Sequence, residues 1–121
     1  MKSVTVTIPG EFTTLNQYIS SERSNRYAGA KVKDEETQRA MVETLSLEPL
    51  TGNRYDIVFC WYRKDRRTDP DNIAFAAKFI LDGLQASRFL PNDKWSYVAS
   101  ITHLFFIDAK NPRVEIKFEQ V

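Results

Sequence analysis

The chain has 121 residues, of which 42% are hydrophobic and 27% charged, with a formal net charge of +1. This composition predicts one ordinary globular domain over residues 1–121 and excludes disordered and transmembrane classes, because no apolar run approaches the roughly 20 residues that cross a bilayer. One cysteine and one histidine exclude an intrachain disulfide and a conventional zinc site, and the N-terminus lacks the apolar core of a secretion signal, so a cytoplasmic location is expected.

The N-terminal part of the chain predicts one strand, one long polar segment and one helix. Residues 3–8, SVTVTI, alternate apolar and polar side chains as a half-buried strand does, and Pro9-Gly10 ends it. Residues 10–33 are polar, and we interpret them as a long loop or lid. Residues 33–47 have an acidic start and apolar side chains at helical spacing, which predicts an amphipathic helix.

The remaining strands are predicted from three apolar segments. Residues 54–62, RYDIVFCWY, are apolar on nearly both faces, which indicates a central strand with Cys60 buried in it. Residues 97–107 and 113–119 predict a hairpin joined by the turn-forming DAKNP, with His103 a partly buried strand residue. The expected fold class is α+β, a single domain with a mixed or antiparallel sheet of about four strands and two main helices.

Basic residues are concentrated in two stretches, although the net charge is close to zero. The stretches contain Arg23, Arg26, Lys31 and Lys33 in the first, and Arg63, Lys64, Arg66 and Arg67 in the second. Either stretch alone is explained as a solvated loop. Two of them on either side of a carboxylate cluster favour a polyanionic partner, with Lys31, Lys33, Arg66 and Arg67 as candidate phosphate contacts.

The sequence TDPDN, residues 68–72, opens a predicted helix directly after the second basic stretch. Asp69 suits the N-cap, Pro70 the first helical position, and Asp71 the first turn, where a carboxylate complements the helix dipole. Capping does not explain the two arginines before the motif or the second acidic turn, LPNDKW, at residues 90–95. A helix cap and a ligand site are therefore both open interpretations.

The predicted helix that follows this motif carries charged and aromatic side chains along one line of its surface. At roughly 100° per residue, Asp71, Phe75, Lys78 and Asp82 fall within about 40° of one line, opposite an apolar face. A solvated helix also carries such a pattern, with Lys78 and Asp82 as a four-spaced ion pair. Phe75 is interpreted as a lid, as a stacking surface for an unpaired base, or as a packing residue.

A metal site would explain the residues that helix capping leaves unexplained. Hydrolysis of a phosphodiester needs an activated water and neutralised phosphate charge, and Mg²⁺ held by carboxylates supplies both. Asp69, Asp71 and Asp93 are the candidate ligands, and three crowded carboxylates repel one another unless a cation lies among them. Lys78 would place a positive charge beside the scissile phosphate.

These residues also carry a family resemblance. A polar N-terminal segment with LNQY, an apolar strand, RRTDPDNIAFAAKFILDGL and FLPNDKW together resemble the RusA family of Holliday-junction resolvases of phages and prophages, most specifically over residues 66–95. The resemblance implies a homodimer that cuts four-way DNA junctions by paired nicks in recombination and repair, with Mg²⁺, or alternatively Mn²⁺, as cofactor.

The family motif can be carried over residue by residue. Its aspartates match Asp69, Asp71 and Asp93, and its asparagine and lysine match Asn72 and Lys78. A recurrent helix aspartate matches Asp82, as a weaker metal ligand. The family pattern also suggests Asn16 and Tyr18 as weaker DNA contacts, beside Asn72.

One departure from the family pattern affects the lysine. In the commoner form it follows the second aspartate by four residues, whereas position 75 is Phe75 here and the lysine is Lys78. The shift is close to one helical turn, or about 4.5 Å along the axis, so the lysine would keep its face and reach back toward the aspartates.

Two rival functions remain at this stage. A non-catalytic junction or single-strand binding protein would use the same basic stretches without needing three aspartates. A metal-dependent phosphohydrolase of small nucleotides would need the carboxylates but not two basic stretches, and the chain has only four glycines from which to build a phosphate-binding loop.

Overall fold

The computed structural model describes residues 3–52 and 54–121 and has an α+β fold built on a four-stranded mixed sheet, as the sequence predicts. The strands are β1 (Ser3–Pro9), β2 (Tyr55–Arg63), β3 (Val98–Ile107) and β4 (Arg113–Gln120). The helices are α1 (Leu15–Ser24), α2 (Arg26–Thr44), α3 (Pro70–Ala74) and α4 (Ala77–Ala86). Over the described ranges, no helix combines the length and the apolar character needed to cross a bilayer.

The order of the strands across the sheet is β1-β4-β2-β3. β4 pairs antiparallel with both β1 and β2, and β3 pairs parallel with β2. The predicted central position of β2 is therefore confirmed, whereas the predicted hairpin of residues 97–107 with 113–119 is wrong. β2, which is apolar on both faces, lies between these two segments and pairs with each of them.

The segment interpreted as a loop or lid, residues 10–33, is also predicted wrongly, because it contains α1 and the first turns of α2. Thr14 and Gln17 form a capping box in which the Gln17 backbone N–H donates to Thr14 Oγ1 (3.3 Å) and the Thr14 backbone N–H donates to Gln17 Oε1 (2.9 Å). Asn25 then caps α2 by accepting from the Ala28 backbone N–H at 2.8 Å. The helix predicted to begin at residue 33 thus begins at Arg26, about two turns earlier.

Helices α2 and α4 cover one face of the sheet. The strand side chains on that face are buried and form a single core with Ala40, Phe79, Ile80 and Leu84 of the two helices. The contributing strand residues are Val6, Ile8, Ile57, Phe59, Trp61, Val114, Ile116 and Phe118. Gly83 lies where α4 crosses closest to α2, and any side chain there would meet the backbone of α2. This packing fixes the start of α4 relative to the end of β2.

His103 on β3 points toward the same face and is held as a neutral imidazole. Its Nδ1 accepts a hydrogen bond from Trp61 Nε1–H at 2.9 Å, and its ring stacks on Phe59 with centroids 5.1 Å apart. Burial lowers the pKa of His103 below its ordinary value of 6.5. The partly buried position predicted from the sequence is confirmed.

This lowered pKa predicts a pH dependence of stability. Between the ordinary pKa and the lower folded pKa, the unfolded chain binds a proton that the folded protein does not, so the free energy of unfolding decreases as the pH falls from about 7 to about 5. His103→Gln offers Trp61 a neutral acceptor that does not titrate, and it should therefore lose less stability over the same interval. Urea unfolding of both proteins across this interval measures the difference, and equal losses would contradict the assignment.

Candidate active site

A pocket of about 590 Å³ lies where β2 and β3 end side by side. The two strands are parallel and end together, with Arg63 paired to Ile107 in register. Crevices beyond the carboxyl ends of neighbouring parallel strands are common ligand sites in α/β sheets. The pocket is lined by Arg63, Asp65, Arg66, Thr68, Asp69, Pro70, Ile73, Phe105, Phe106 and Ile107. Two residues of the predicted site, Arg66 and Asp69, are therefore neighbours here.

Arg63 is a lining residue that the sequence interpretation counted only as part of a basic stretch. Its side chain is 12% exposed and lies between Glu11 and Thr68, with Nε 3.6 Å from Glu11 Oε2 and Nη2 donating to Thr68 Oγ1 at 3.4 Å. The signal that would have identified it is strand alternation. Arg63 has the parity of Phe59 and Trp61, so its side chain continues the buried face of β2 to the edge of the pocket.

Asp69 begins α3 as the sequence predicts, but its side chain does not cap the helix. Its backbone is extended (φ −68°, ψ 149°), Pro70 occupies the first turn, and no capping hydrogen bond reaches the Asp69 carboxylate. Asp71 is exposed, and its Oδ1 accepts from the Asn72 backbone N–H at 2.9 Å. The Asp69 carboxylate is thus exposed at the wall of the pocket and free of a capping hydrogen bond, with a second carboxylate two residues further on.

The helix predicted behind this motif is not continuous, since α3 ends at Ala74 and α4 begins at Ala77. The Ala76 N–H donates to Ile73 O (3.2 Å) and the Lys78 N–H to Phe75 O (3.3 Å), both spaced three residues apart. Such tight turns rotate the chain by about 120° per residue rather than 100°. The rotation of 100° per residue that placed Asp71 and Lys78 on one line of the predicted helix therefore does not apply across Phe75 and Ala76.

Phe75 at this break is a packing residue. Its ring lies 5.5 Å from Tyr18 and 5.3 Å from Phe79, centroid to centroid. Tyr18, suggested as a weaker DNA contact, packs against Phe79 as well, at 5.5 Å. Among the three interpretations of Phe75, packing accounts for its position, and the aromatic cluster ties α1 to α3 and α4.

The second half of the predicted site is brought together around Lys78. Its Nζ is 3.0 Å from Asp82 Oδ1, with 64% of the lysine side chain exposed. The hydrogen bond and charge of Asp82 raise the pKa of Lys78, and the nearby charge of Asp93 raises it further. The charge of Asp93 thus reaches Lys78, and Asp82 acts in this structure as the ion-pair partner of the lysine.

The three predicted metal ligands are not assembled into a finished site. Throughout residues 3–52 and 54–121, no group of three or more His, Cys, Asp or Glu side chains is arranged to hold a metal ion. Asp69 and Asp71 stand at the start of α3, whereas Asp93 lies in the loop between α4 and β3. The donor chemistry fits Mg²⁺, because all three are carboxylates and the Asp69 carboxylate is not engaged in a capping hydrogen bond. Their ligation stays a prediction.

The predicted phosphate contacts fall into two groups. Arg66 and Arg67 are exposed in the loop before α3, and Arg67 is 91% exposed with its Nε 3.8 Å from Asp65 Oδ2. Lys31 and Lys33 are exposed on α2, where Lys31 Nζ is 3.8 Å from Glu35 Oε1. Surface ion pairs at this distance contribute little free energy, so Lys31 and Arg67 can leave their acidic partners to bind a phosphate.

The two remaining predicted DNA contacts differ in exposure. Asn16 is exposed on the first turn of α1, and Asn72 is half-buried in α3.

Comparison of the chain with protein-family models finds no matching family, and comparison with curated proteins finds no match either.

Proposed function

We propose that the protein is a metal-dependent endodeoxyribonuclease that resolves four-way DNA junctions by paired symmetric nicks. The observation that carries the proposal is the exposed carboxylate of Asp69, free of a capping hydrogen bond, in a pocket that Arg63 and Arg66 also line. A carboxylate that shares a pocket with two guanidinium groups suits the joint binding of a cation and a phosphate. The family resemblance over residues 66–95 supports the same reaction.

Each residue of the site has a defined part in this proposal. Asp69 and Asp71, with Asp93, would hold Mg²⁺, which when bound supplies an activated water and neutralises charge on the phosphate. Arg66 and Arg67 would hold the DNA backbone at the mouth of the pocket. Lys78 would exchange Asp82 for the scissile phosphate, since an exposed ion pair costs little to open.

The proposed function includes a homodimer, and the reason is the symmetry of the substrate. A four-way junction has approximate twofold symmetry, and a productive resolution needs two matching cuts. Two copies of a single-site subunit related by a twofold axis meet this requirement. The basic residues would make binding depend on the shape of the DNA and on salt rather than on base sequence.

The pocket volume favours one alternative. About 590 Å³ lies within the range of roughly 300–1,000 Å³ that small-molecule sites occupy, and Phe105 offers an apolar wall for a base. A metal-dependent phosphohydrolase of small nucleotides would use the same carboxylates. A non-catalytic DNA-binding protein, by contrast, would have no use for the carboxylate of Asp69 in this pocket.

The experiment that tests the proposal compares substrates with and without metal. Purified protein is incubated with end-labelled four-way junction, with duplex and single strand of the same sequence, and with nucleoside triphosphates, each in Mg²⁺ or in EDTA. We expect symmetric nicks in the junction that require Mg²⁺, and slow or absent cleavage of the other DNA substrates.

The alternative outcomes separate the candidates. Faster hydrolysis of nucleotides than of the junction would replace the proposal by the phosphohydrolase. Tight junction binding without nicks in Mg²⁺ or Mn²⁺ would replace it by the DNA-binding protein. Equal cutting of junction and duplex would contradict the junction selectivity.

A further inference from the structure

β3 forms an edge of the sheet whose outer backbone groups are available for pairing with another strand. On its outer side it pairs with no strand of the described chain, residues 3–52 and 54–121. Its sequence, VASITHLFFI, has no charged residue and no proline, and its only irregularity is a register shift at its first residues. Soluble proteins usually protect such an edge with a charge, a proline or a covering segment.

β3 exposes large apolar side chains on both faces of the sheet, together with the polar Ser100 and Thr102 on the face opposite the helices. On the face that carries the helices, Ile101, Phe105 and Ile107 are 47%, 38% and 47% exposed, because α2 and α4 lie over the other strands. On the opposite face, Leu104 and Phe106 are 44% and 42% exposed. Both faces and the backbone edge of one strand are thus left uncovered together.

We propose that the edge of β3 is the dimer interface, at which β3 of a second copy of this chain pairs with it antiparallel about a twofold axis. An axis perpendicular to the sheet brings two copies of one strand edge to edge and keeps corresponding faces on the same side. Apolar side chains then contribute on both faces, from Ile101, Phe105 and Ile107 on one face, and from Leu104 and Phe106 next to the polar Ser100 and Thr102 on the other. Since β3 carries no formal charge and His103 is neutral, no like charges meet at the seam.

The size of this surface agrees with a dimer of modest affinity. If each large apolar side chain offers about 150–250 Å² in full, the five exposed ones present roughly 300–550 Å² per copy, which is about the size of the largest apolar patch on a typical monomer. Two copies, with the edge backbone added, bury about 1,000 Å², the lower limit for a specific interface. The dimer should therefore dissociate measurably on dilution.

The opposite edge of the sheet lacks these properties. β1 presents Ser3, Thr5 and Thr7 on its exposed face, and its apolar side chains Val6 and Ile8 are buried beneath the helices. An antiparallel pairing through β1 would cover polar side chains and leave the exposed apolar residues of β3 in water. The apolar surface thus selects β3 rather than the other edge.

The proposed interface also determines where the two candidate active sites of the dimer would lie relative to each other. Phe105, Phe106 and Ile107 line the same pocket as Asp69, so a partner strand would run directly along its wall. The twofold axis would put the two pockets at opposite ends of the paired strands, facing two symmetric positions. This arrangement of two cuts rests on the proposed function, whereas the dimer itself does not.

The test measures the oligomeric state without DNA or metal. Sedimentation velocity over a dilution series is run on the wild type, Leu104→Lys, Ile101→Lys and the control Leu45→Lys, which charges an exposed leucine (59%) at the end of α2. We expect a wild-type dimer whose dissociation constant rises at least about tenfold in each β3 variant, because each change occurs twice at the seam. The control should match the wild type. Circular dichroism and thermal melting establish that each variant is folded.

A second measurement tests by disulfide cross-linking which edge of the sheet forms the contact. Single cysteines are introduced as Thr102→Cys and Leu104→Cys near the middle of β3, and as Thr5→Cys on β1, with native Cys60 buried at 2% exposure. Oxidation should give disulfide-linked dimers for the β3 positions and not for Thr5→Cys. Equal cross-linking at both edges would overturn the proposal, as would a wild type that is monomeric throughout or a dimer that survives both lysine changes. A β3 dimer without nuclease activity would contradict the proposed function alone.

Discussion

Asparagine in place of Asp69 or Asp71 is expected to slow Mg²⁺-dependent junction nicking by at least about a hundredfold, while junction affinity changes by less than about threefold. Asparagine keeps the shape of the side chain and removes the negative charge that a hard cation requires. DNA affinity should persist, because it is assigned to Arg66, Arg67 and the lysines of α2. Single-turnover nicking rates and fluorescence anisotropy, the latter in EDTA, measure the two quantities separately.

Asp65→Asn is the matched control for this prediction. Asp65 lines the same pocket and loses the same charge, but it is not a predicted ligand. Its Oδ1 accepts from the Arg67 backbone N–H at 3.0 Å, and asparagine retains that acceptor, so the loop should keep its shape. We expect nicking by Asp65→Asn within about fivefold of the wild type. Equal slowing of all three variants would show that the charge of the pocket matters, and not ligation by Asp69 and Asp71.

Gly83→Ala is expected to lower the free energy of unfolding by about 1–3 kcal/mol. A Cβ at this position would lie 2.6 Å from Ala40 Cβ and 2.9 Å from the Met41 backbone nitrogen, and would also meet Thr37 O. These atoms belong to the backbone and a short side chain of α2, which cannot move aside without separating the helices. In an exposed helix the same change stabilises by about 1 kcal/mol, so a measured loss shows that packing outweighs helix propensity.

Gly29→Ala provides the comparison for Gly83→Ala. Gly29 is also a buried glycine within a helix, but its added Cβ would meet first the Cγ of Glu22, an exposed and flexible side chain that can turn away. We expect its free energy of unfolding to stay within about 1 kcal/mol of the wild type. Urea unfolding of both variants decides between them. A Gly83→Ala protein as stable as Gly29→Ala would contradict the close approach of α2 and α4.

The strands could be predicted from the sequence, but their neighbours could not. Alternation in β1 and β4 and the continuous apolar run of β2 each follow from local burial, which depends on one strand and its faces. Pairing depends on which strands compete for an edge. Two adjacent segments joined by a turn favour a hairpin, yet β2 is apolar on both faces and is stabilised by a neighbour on each side.

The helices of residues 15–32 were missed for a different reason. α1 buries no residue completely, so an apolar stripe does not reveal it. Its cap does, because Thr14 followed by Gln17 is a capping-box pattern that marks a helix start in the sequence. Asn25 gives a second such signal at the start of α2. For polar helices, capping residues thus carried information that periodicity did not.

The candidate site was predicted in part. The motif around Asp69 and its proximity to Arg66 lie within four residues of chain, so local sequence was sufficient. The contribution of Phe105, Phe106 and Ile107 depends on the parallel pairing of β3 with β2, which brings residues some forty positions apart to one pocket. The break at Phe75 and Ala76 depends on an aromatic cluster that includes Tyr18 of another helix.

The position of β4 in the middle of the sheet has a consequence for how the chain folds. β4 is the last strand in chain order, yet it joins β1 to β2, and Ser3 pairs with Glu119 across nearly the whole sequence. β1 therefore has no strand partner until the final strand has formed. Such long-range closure is typical of domains that fold in milliseconds to seconds rather than microseconds. During synthesis, β1 can pair only after β4 has left the ribosome, whereas β2 and β3 can already pair with each other before that point.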